Sequence, residues 1–240
     1  MLKWPIMGER NTRQNQLEKL WPALQKGDAR AVHEVRKLTR KVGADLRAAG
    51  ASGKVKRSWR DLRRAIAPVR DHDAVQAHLR DGLQELGADD AYLQRFDESW
   101  AARRQVLWSK VNLPDPPVVP SRPKDFKARL RERARKDWKA LVSESQEVLE
   151  SEDAEAWHAW RKHLKAYRHT LDLLGEAPAG LEEVLQALGR LQDAQVTREV
   201  LEAQDAVPEY REALLTREER AAAESRILAR EQWMTLLGRS

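Results

Sequence analysis

Five prolines fall within the twelve residues Asn112-Leu113-Pro114-Asp115-Pro116-Pro117-Val118-Val119-Pro120-Ser121-Arg122-Pro123. No helix runs through such a stretch, because each proline lacks a backbone N–H donor and its ring clashes with the preceding turn. The stretch is therefore an irregular connection near the middle of a 240-residue chain. On both sides of it apolar residues recur at helical spacing. The spacing predicts helices over 9–26, 28–49, 54–87 with a break near Pro68 to Asp73, and 89–110, then over 124–149, 152–174, 180–204 and 208–237. Asp28 and Ser151 are suited to start helices and Gly50, Gly87 and Gly175 to stop them. The expectation is an all-α fold of two four-helix bundles, 1–111 and 124–240, joined by a Pro-rich linker over 112–123.

Composition supports helices and removes several chemistries. Charged residues make up 34% against 41% hydrophobic, with eleven Gly, a balance that favours amphipathic helices. Nine Trp against two Phe and three Tyr make Trp the expected aromatic core filler. The chain has no Cys, which excludes disulfides, thiolate metal sites and a Cys nucleophile. The opening Met1 to Arg10 lacks a hydrophobic signal core, and no apolar run reaches the roughly 18 residues of a membrane span. A cytoplasmic location without membrane association is expected.

The two sides of the proline run repeat one another. Val32 to Arg40, reading Val-His-Glu-Val-Arg-Lys-Leu-Thr-Arg, matches Trp157 to Lys165, reading Trp-His-Ala-Trp-Arg-Lys-His-Leu-Lys, at an offset of 125. Farther on, Leu62 to Asp71 meets Val184 to Asp193 at an offset of 122, a connection three residues shorter. Two matches in the same order point to an internal duplication. Charge is uneven between the halves. Through residue 120 the chain has 23 Lys plus Arg against 15 Asp plus Glu, or +8, and the remainder has 21 against 23, or −2.

The recurring residues share a face. His33, Arg36, Lys37, Arg40 and Arg47 fall within an arc of about 100°, with Val35, Leu38, Val42 and Leu46 opposite. In the second copy His158, Arg161, Lys162, Lys165, Arg168 and His169 lie opposite Trp160, Leu164, Tyr167 and Leu171. Arg57, Arg60, Arg63 and Arg64 form a third row opposite Val55, Leu62 and Ile66, and Lys124, Lys127, Arg131 and Arg135 a fourth. Rows of charge on helices are ordinarily solvated faces, but those intersperse carboxylates four residues away to relieve repulsion. Here Glu34 and Asp45 are expected to point elsewhere, which leaves like charges stacked and makes a bound anion the natural compensation.

These motifs resemble the CHAD domain family, the conserved histidine α-helical domain. The resemblance rests on the His-x-x-Arg-Lys helices at His33 and His158 and on Arg70-Asp71-His72-Asp73, similar to that family's Arg-Asp-x-Asp. Lys165 to Leu173 is similar to its Lys-x-Leu-Arg-Tyr-x-x-Glu-Leu pattern. Gln192 and Gln195 stand where the family often has His and Asp, and His169 where Tyr is usual. The resemblance spans essentially the whole chain. It implies two four-helix bundles related by a pseudo-twofold axis, with basic faces lining a central groove or pore that binds inorganic polyphosphate. Such domains are often fused to a triphosphate-tunnel catalytic domain, whose Glu-x-Glu-x-Lys strand this sequence lacks, or associated with polyphosphate granules. A stand-alone, non-catalytic binding module with no cofactor and no metal is the expectation.

The chemistry of the rows fits that implication. A flexible polyanion needs many cations along a track; Arg offers paired hydrogen bonds to phosphate oxygens and Lys a point charge. Nucleic acid is the rival ligand, since its phosphates would meet the same rows, but its bases would need stacking surfaces and Trp59, Trp157 and Trp160 lie on apolar sides. A phosphate-metabolising enzyme would need clustered carboxylates for metal. The candidates Asp71, Asp73 and Asp193 read better as helix caps or salt-bridge partners. A scaffold for an acidic protein would fit the charge but gives no reason for the histidines to repeat.

Overall fold

The computed structural model describes residues 12–176, 178–203 and 207–238. Nine helices and no strands occur among the described residues: α1 (Thr12–Gln25), α2 (Ala29–Ala48), α3 (Gly53–Ala65), α4 (Ala67–Glu85), α5 (Asp90–Ser109), α6 (Phe126–Val148), α7 (Ala154–Leu174), α8 (Leu181–Ala203) and α9 (Arg211–Leu237). The expected helix start at residue 9, the opening Met1 to Arg10 and the expected end at 204 lie outside the described residues. The chain is all-helical, and its helix packing fits two bundles.

Two boundaries differ from the sequence reading. The segment 54–87 is two helices, α3 and α4, so five helices precede the proline run instead of four. Their junction is at Ile66, ahead of Pro68, because proline is tolerated in a first helical turn, where its missing N–H would have no partner in any case. The second copy has no proline at the matching position, and α8 runs through unbroken. Ser151 does not cap α7. Asp153 does, accepting from Glu155 N at 3.0 Å, while Ser151 Oγ accepts from Asp153 N one turn earlier. Asp28 caps α2 through a 2.7 Å hydrogen bond from Ala31 N, and Gly50, Gly87 and Gly175 all take positive φ after helix ends.

The chain groups into two compact units. Unit 1 comprises residues 1–70 and 107–129, and unit 2 residues 71–106 and 130–240. The core of unit 1 is the apolar side of α2, Val32, Val35, Leu38, Val42 and Leu46, packed with Leu17, Trp21 and Leu24 of α1 and Trp59 and Leu62 of α3. Burial of each such side chain contributes about 1.5–3 kcal/mol. The proline run belongs to this unit as a docked strap. Trp59 Nε1 donates to Val118 O at 3.0 Å, Val119 N donates to Gln14 Oε1 at 3.0 Å, and Val119 is buried. Buried Asp45 accepts from Arg122 at 2.7 Å and pairs with Arg13 at 2.5 Å.

Gly27, at φ +72°, turns the chain from α1 into α2 beneath Trp108. A Cβ there would lie 2.6 Å from the indole. Gly27→Ala is therefore expected to lower stability by roughly 1–3 kcal/mol, read as a fall in midpoint on urea titration. An unchanged midpoint would show that Trp108 does not rest on this turn.

In unit 2, Trp157, Trp160, Leu164, Tyr167 and Leu171 of α7 pack with Val184, Leu188 and Leu191 of α8 and Trp233 of α9. The Trp160 and Trp233 rings meet edge to face, 5.0 Å apart at 83°. A second cluster gathers Leu79 and Leu83 of α4, Phe96 and Trp100 of α5, and Leu214 of α9. No helix among the described residues is long and apolar enough to cross a membrane.

Candidate polyanion-binding site

Spatial grouping sharpens the charge asymmetry. Unit 1 carries 23 Lys plus Arg against 8 Asp plus Glu, or +15, and unit 2 carries 21 against 30, or −9. The basic residues around the proline run join unit 1, and the acidic stretch 71–106 joins unit 2.

In unit 1 the outer side of α2 presents His33, Arg36, Lys37, Arg40 and Arg47. Arg36 Nη1 donates to the carbonyl of Arg63 at 3.0 Å. That carbonyl is among the last of α3, where helical partners run out, so the bond satisfies an orphan acceptor and fixes the α2 row beside the α3 row. Arg57, Arg60, Arg63 and Arg64 of α3 are all exposed, with Leu62 and Ile66 buried behind them. Burial holds the His33 imidazole below its ordinary range, assisted by the positive charges of Arg70, Lys37 and Arg40 and opposed by Glu34. Glu34 is a correction to the sequence reading, since it does not point away from the row. Its Oε1 lies 3.2 Å from Lys37 Nζ and 3.9 Å from His33 Nε2. A residue one position from His33 is swung into reach by its long side chain. Asp45 does lie elsewhere, bound to Arg13 and Arg122.

In unit 2 carboxylates meet three members of the α7 row. Lys162 meets Glu155 at 3.5 Å, Arg168 pairs with Glu182 and lies 3.7 Å from Asp172, and His169 lies 3.5 Å from Asp172. Lys165 is half-buried. His158 and Arg161 turn into a shallow cleft, walled by Trp157 and closed by Gln192 and Gln195 of α8 and Arg226 of α9. His158 Nδ1 makes a short contact with Gln192 Oε1. Burial, then the charge of Lys162, holds His158 below its ordinary range. Burial likewise lowers Arg161, opposed by the charge of Asp193, and its buried Nε has no hydrogen-bond partner among the described residues. Lys127, Arg131 and Arg135 lie exposed along α6, and Lys124 is exposed just before it.

The rows left out four residues that the fold brings to the histidines: Arg70, Gln192, Gln195 and Arg226. Arg70 and Gln192 were readable in advance. They stand at the 122-residue offset of the second repeat match, and each faces the histidine of its own unit. Arg226 carried no such signal; it reaches the cleft from a distant helix while paired to Glu152 at 2.5 Å.

Of the acidic candidates, Asp73 is an ion-pair partner. Asp73 accepts from Arg104 Nε at 2.7 Å and Nη2 at 3.3 Å, and Asp193 acts on Arg161. No group of three or more His, Asp or Glu able to hold a metal ion occurs among the described residues. Trp59, Trp157 and Trp160 are buried, and each donates its indole N–H to a backbone carbonyl.

Comparison with known proteins agrees with the resemblance read from the motifs. The CHAD domain model matches residues 107–207. Among solved structures, PptA from Streptomyces chartreusis shares the fold with a TM-score of 0.55 at 16% identity, covering 92% of this chain and 96% of that one. No curated protein sequence matches the chain.

Proposed function

With the CHAD domain matched over residues 107–207 as premise, we propose that this chain binds inorganic polyphosphate without catalysis, through the Arg, Lys and His rows of its helices. The observation that carries the reading is the joined face of α2 and α3 in unit 1. There Arg36 ties one cation row to another, and Arg57, Arg63 and Arg64 stand exposed with no ion-pair partner among the described residues. A phosphate thread with about one negative charge per unit matches such a face better than a compact anion does, because its charge is spread along a line. The reading keeps two repeats, 1–111 and 124–240, joined by 112–123. It is supported by α2 and α7 starting 125 residues apart and by Arg70 and Gln192, at matched positions, each acting on the histidine of its own unit, the first through its charge and the second by contact. A place on polyphosphate granules follows from the same ligand.

Nucleic acid remains the rival, and the burial of Trp59, Trp157 and Trp160 counts against it, since none of the three offers a stacking surface. The test is direct binding of long-chain polyphosphate at physiological salt, competed by single- and double-stranded nucleic acid of matched charge. A wide margin for polyphosphate is expected. Equal competition would reduce the face to a generic phosphate track.

The histidines set the pH dependence. Free His33 and His158 both sit below the ordinary imidazole range and are neutral at pH 7, while a bound polyanion raises their affinity for protons. Their value is higher in the complex than in the free protein. Polyphosphate affinity should therefore rise as pH falls through the complex value and level off below the free one. Dissociation constants between pH 5.5 and 8 check this, and the pair His33→Gln with His158→Gln should flatten the profile. A profile unchanged in that pair would remove the histidines from the site.

A further inference from the structure

Unit 1 carries a net +15 and unit 2 a net −9, and the cation rows within them are exposed to different degrees of internal competition. On α3 the only carboxylate is Asp61, 3.9 Å from Arg60, and Arg57, Arg63 and Arg64 are left without an ion-pair partner among the described residues. On α7 the outward cations are met by Glu155, Asp172 and Glu182, two of these from the same helix and one from α8.

We infer that the two units take unequal shares of a polyanion: unit 1 holds it, while Glu155, Asp172 and Glu182 compete with it for the cations of α7 in unit 2. A phosphate arriving at Lys162 or Arg168 must displace a carboxylate already in place and approach a unit of its own sign. At α3 it displaces only water and counterions, and the release of counterions favours binding. The α3 row is thus a strong site and the α7 row a weak one, and the weak one is set by acidic side chains that no repeat match reveals. His158 and Arg161, in the cleft walled by Trp157, keep a local contact point in unit 2, with Glu155 acting on His158 alone of the pair.

This inference rests on the polyanion reading of the rows, and its test separates the two. The full-length protein is titrated with long-chain polyphosphate and, separately, with heparin, over a salt series. Arg57→Glu with Arg63→Glu and Arg64→Glu is expected to lower polyphosphate affinity at least about tenfold and to flatten the salt slope. In that background, Glu155→Gln with Asp172→Asn and Glu182→Gln is expected to restore affinity by about threefold or more, each freed cation gaining a phosphate contact. A gain of affinity does not arise from misfolding, so the rescue keeps its meaning even if the α3 variant is less stable. Losses under threefold for the α3 variant, or no gain on neutralising the three carboxylates, would overturn the unequal division while leaving polyphosphate binding in place. Wild-type protein that ignores polyphosphate but shows the same variant pattern with heparin would overturn the polyphosphate assignment and leave the division standing.

Discussion

Reversing Arg36 and Arg161 together to Glu is expected to lower polyphosphate affinity at least about 100-fold, while far-UV circular dichroism stays that of a helical protein. The two residues occupy matched positions on α2 and α7, yet the larger part of the loss should come from Arg36. Arg36 sits where the two rows of unit 1 meet, bonded to the Arg63 carbonyl; a glutamate there puts a negative charge against the carbonyl end of α3 and into the middle of the cationic face. Arg161 acts inside a cleft and has Asp193 nearby, so its reversal removes a contact point more than a field. Each reversal changes the local charge by two, and for a ligand bound through charge the deficit should shrink as salt rises. Affinity retained within threefold in a folded double variant would sink the site assignment.

Glu218→Ala is expected to destabilise unit 2 by about 3–5 kcal/mol at pH 7, enough to consume much of the stability of an ordinary domain. The Glu218 carboxylate is fully buried, and it is met by His78 of α4 at 3.0 Å and by Arg190 of α8 at 2.7 Å. Arg217 closes the cluster, touching Glu218 and pairing with Glu85 at 2.7 Å. Removing the carboxylate leaves the donors of Arg190, Arg217 and His78 without their common acceptor. Burial alone would push the Glu218 carboxyl up, but hydrogen bonds from His78 and Arg190, with their charges, outweigh it and hold the group at about 2. The folded value is thus below the unfolded 4.5, so the stabilisation is present above pH 4.5 and is lost as pH falls from there toward 2. The difference corresponds to about 3 kcal/mol. Urea titrations at pH 7 and pH 3 should show a wild-type decline that Glu218→Gln largely lacks. A loss below about 1 kcal/mol in Glu218→Ala at pH 7 would show that the cluster contributes little net stability.

Glu218 also illustrates where reading a sequence stops. In Arg217-Glu218-Glu219-Arg220 nothing distinguishes the buried carboxylate from its exposed neighbour Glu219, because α9 has polar residues on every side. The partners that choose Glu218, His78 and Arg190, are 140 and 28 residues away. Cation rows were easier. The apolar positions of α2 and α7 recur with the helical period, so the side opposite them is outward whatever the tertiary packing, and Val35, Leu38, Leu164 and Leu171 are all buried.

Local physics thus decided the helices, their outward rows and the Trp-rich cores, because periodicity, proline and glycine act within a few residues and survive any arrangement of the elements. The equivalence of Arg70 and Gln192 was also implicit, in the offset of the second repeat match. Packing alone decided how charge is shared out. Sequence halves of +8 and −2 become units of +15 and −9, because the acidic stretch 71–106 packs with residues beyond 130 while the proline run is strapped to α1, α2 and α3 by Gln14, Asp45 and Trp59. Whether a cation on a helix is free or answered by a carboxylate depends on which helix lies beside it, as Glu182 of α8 does for Arg168, and no one-dimensional pattern carries that information.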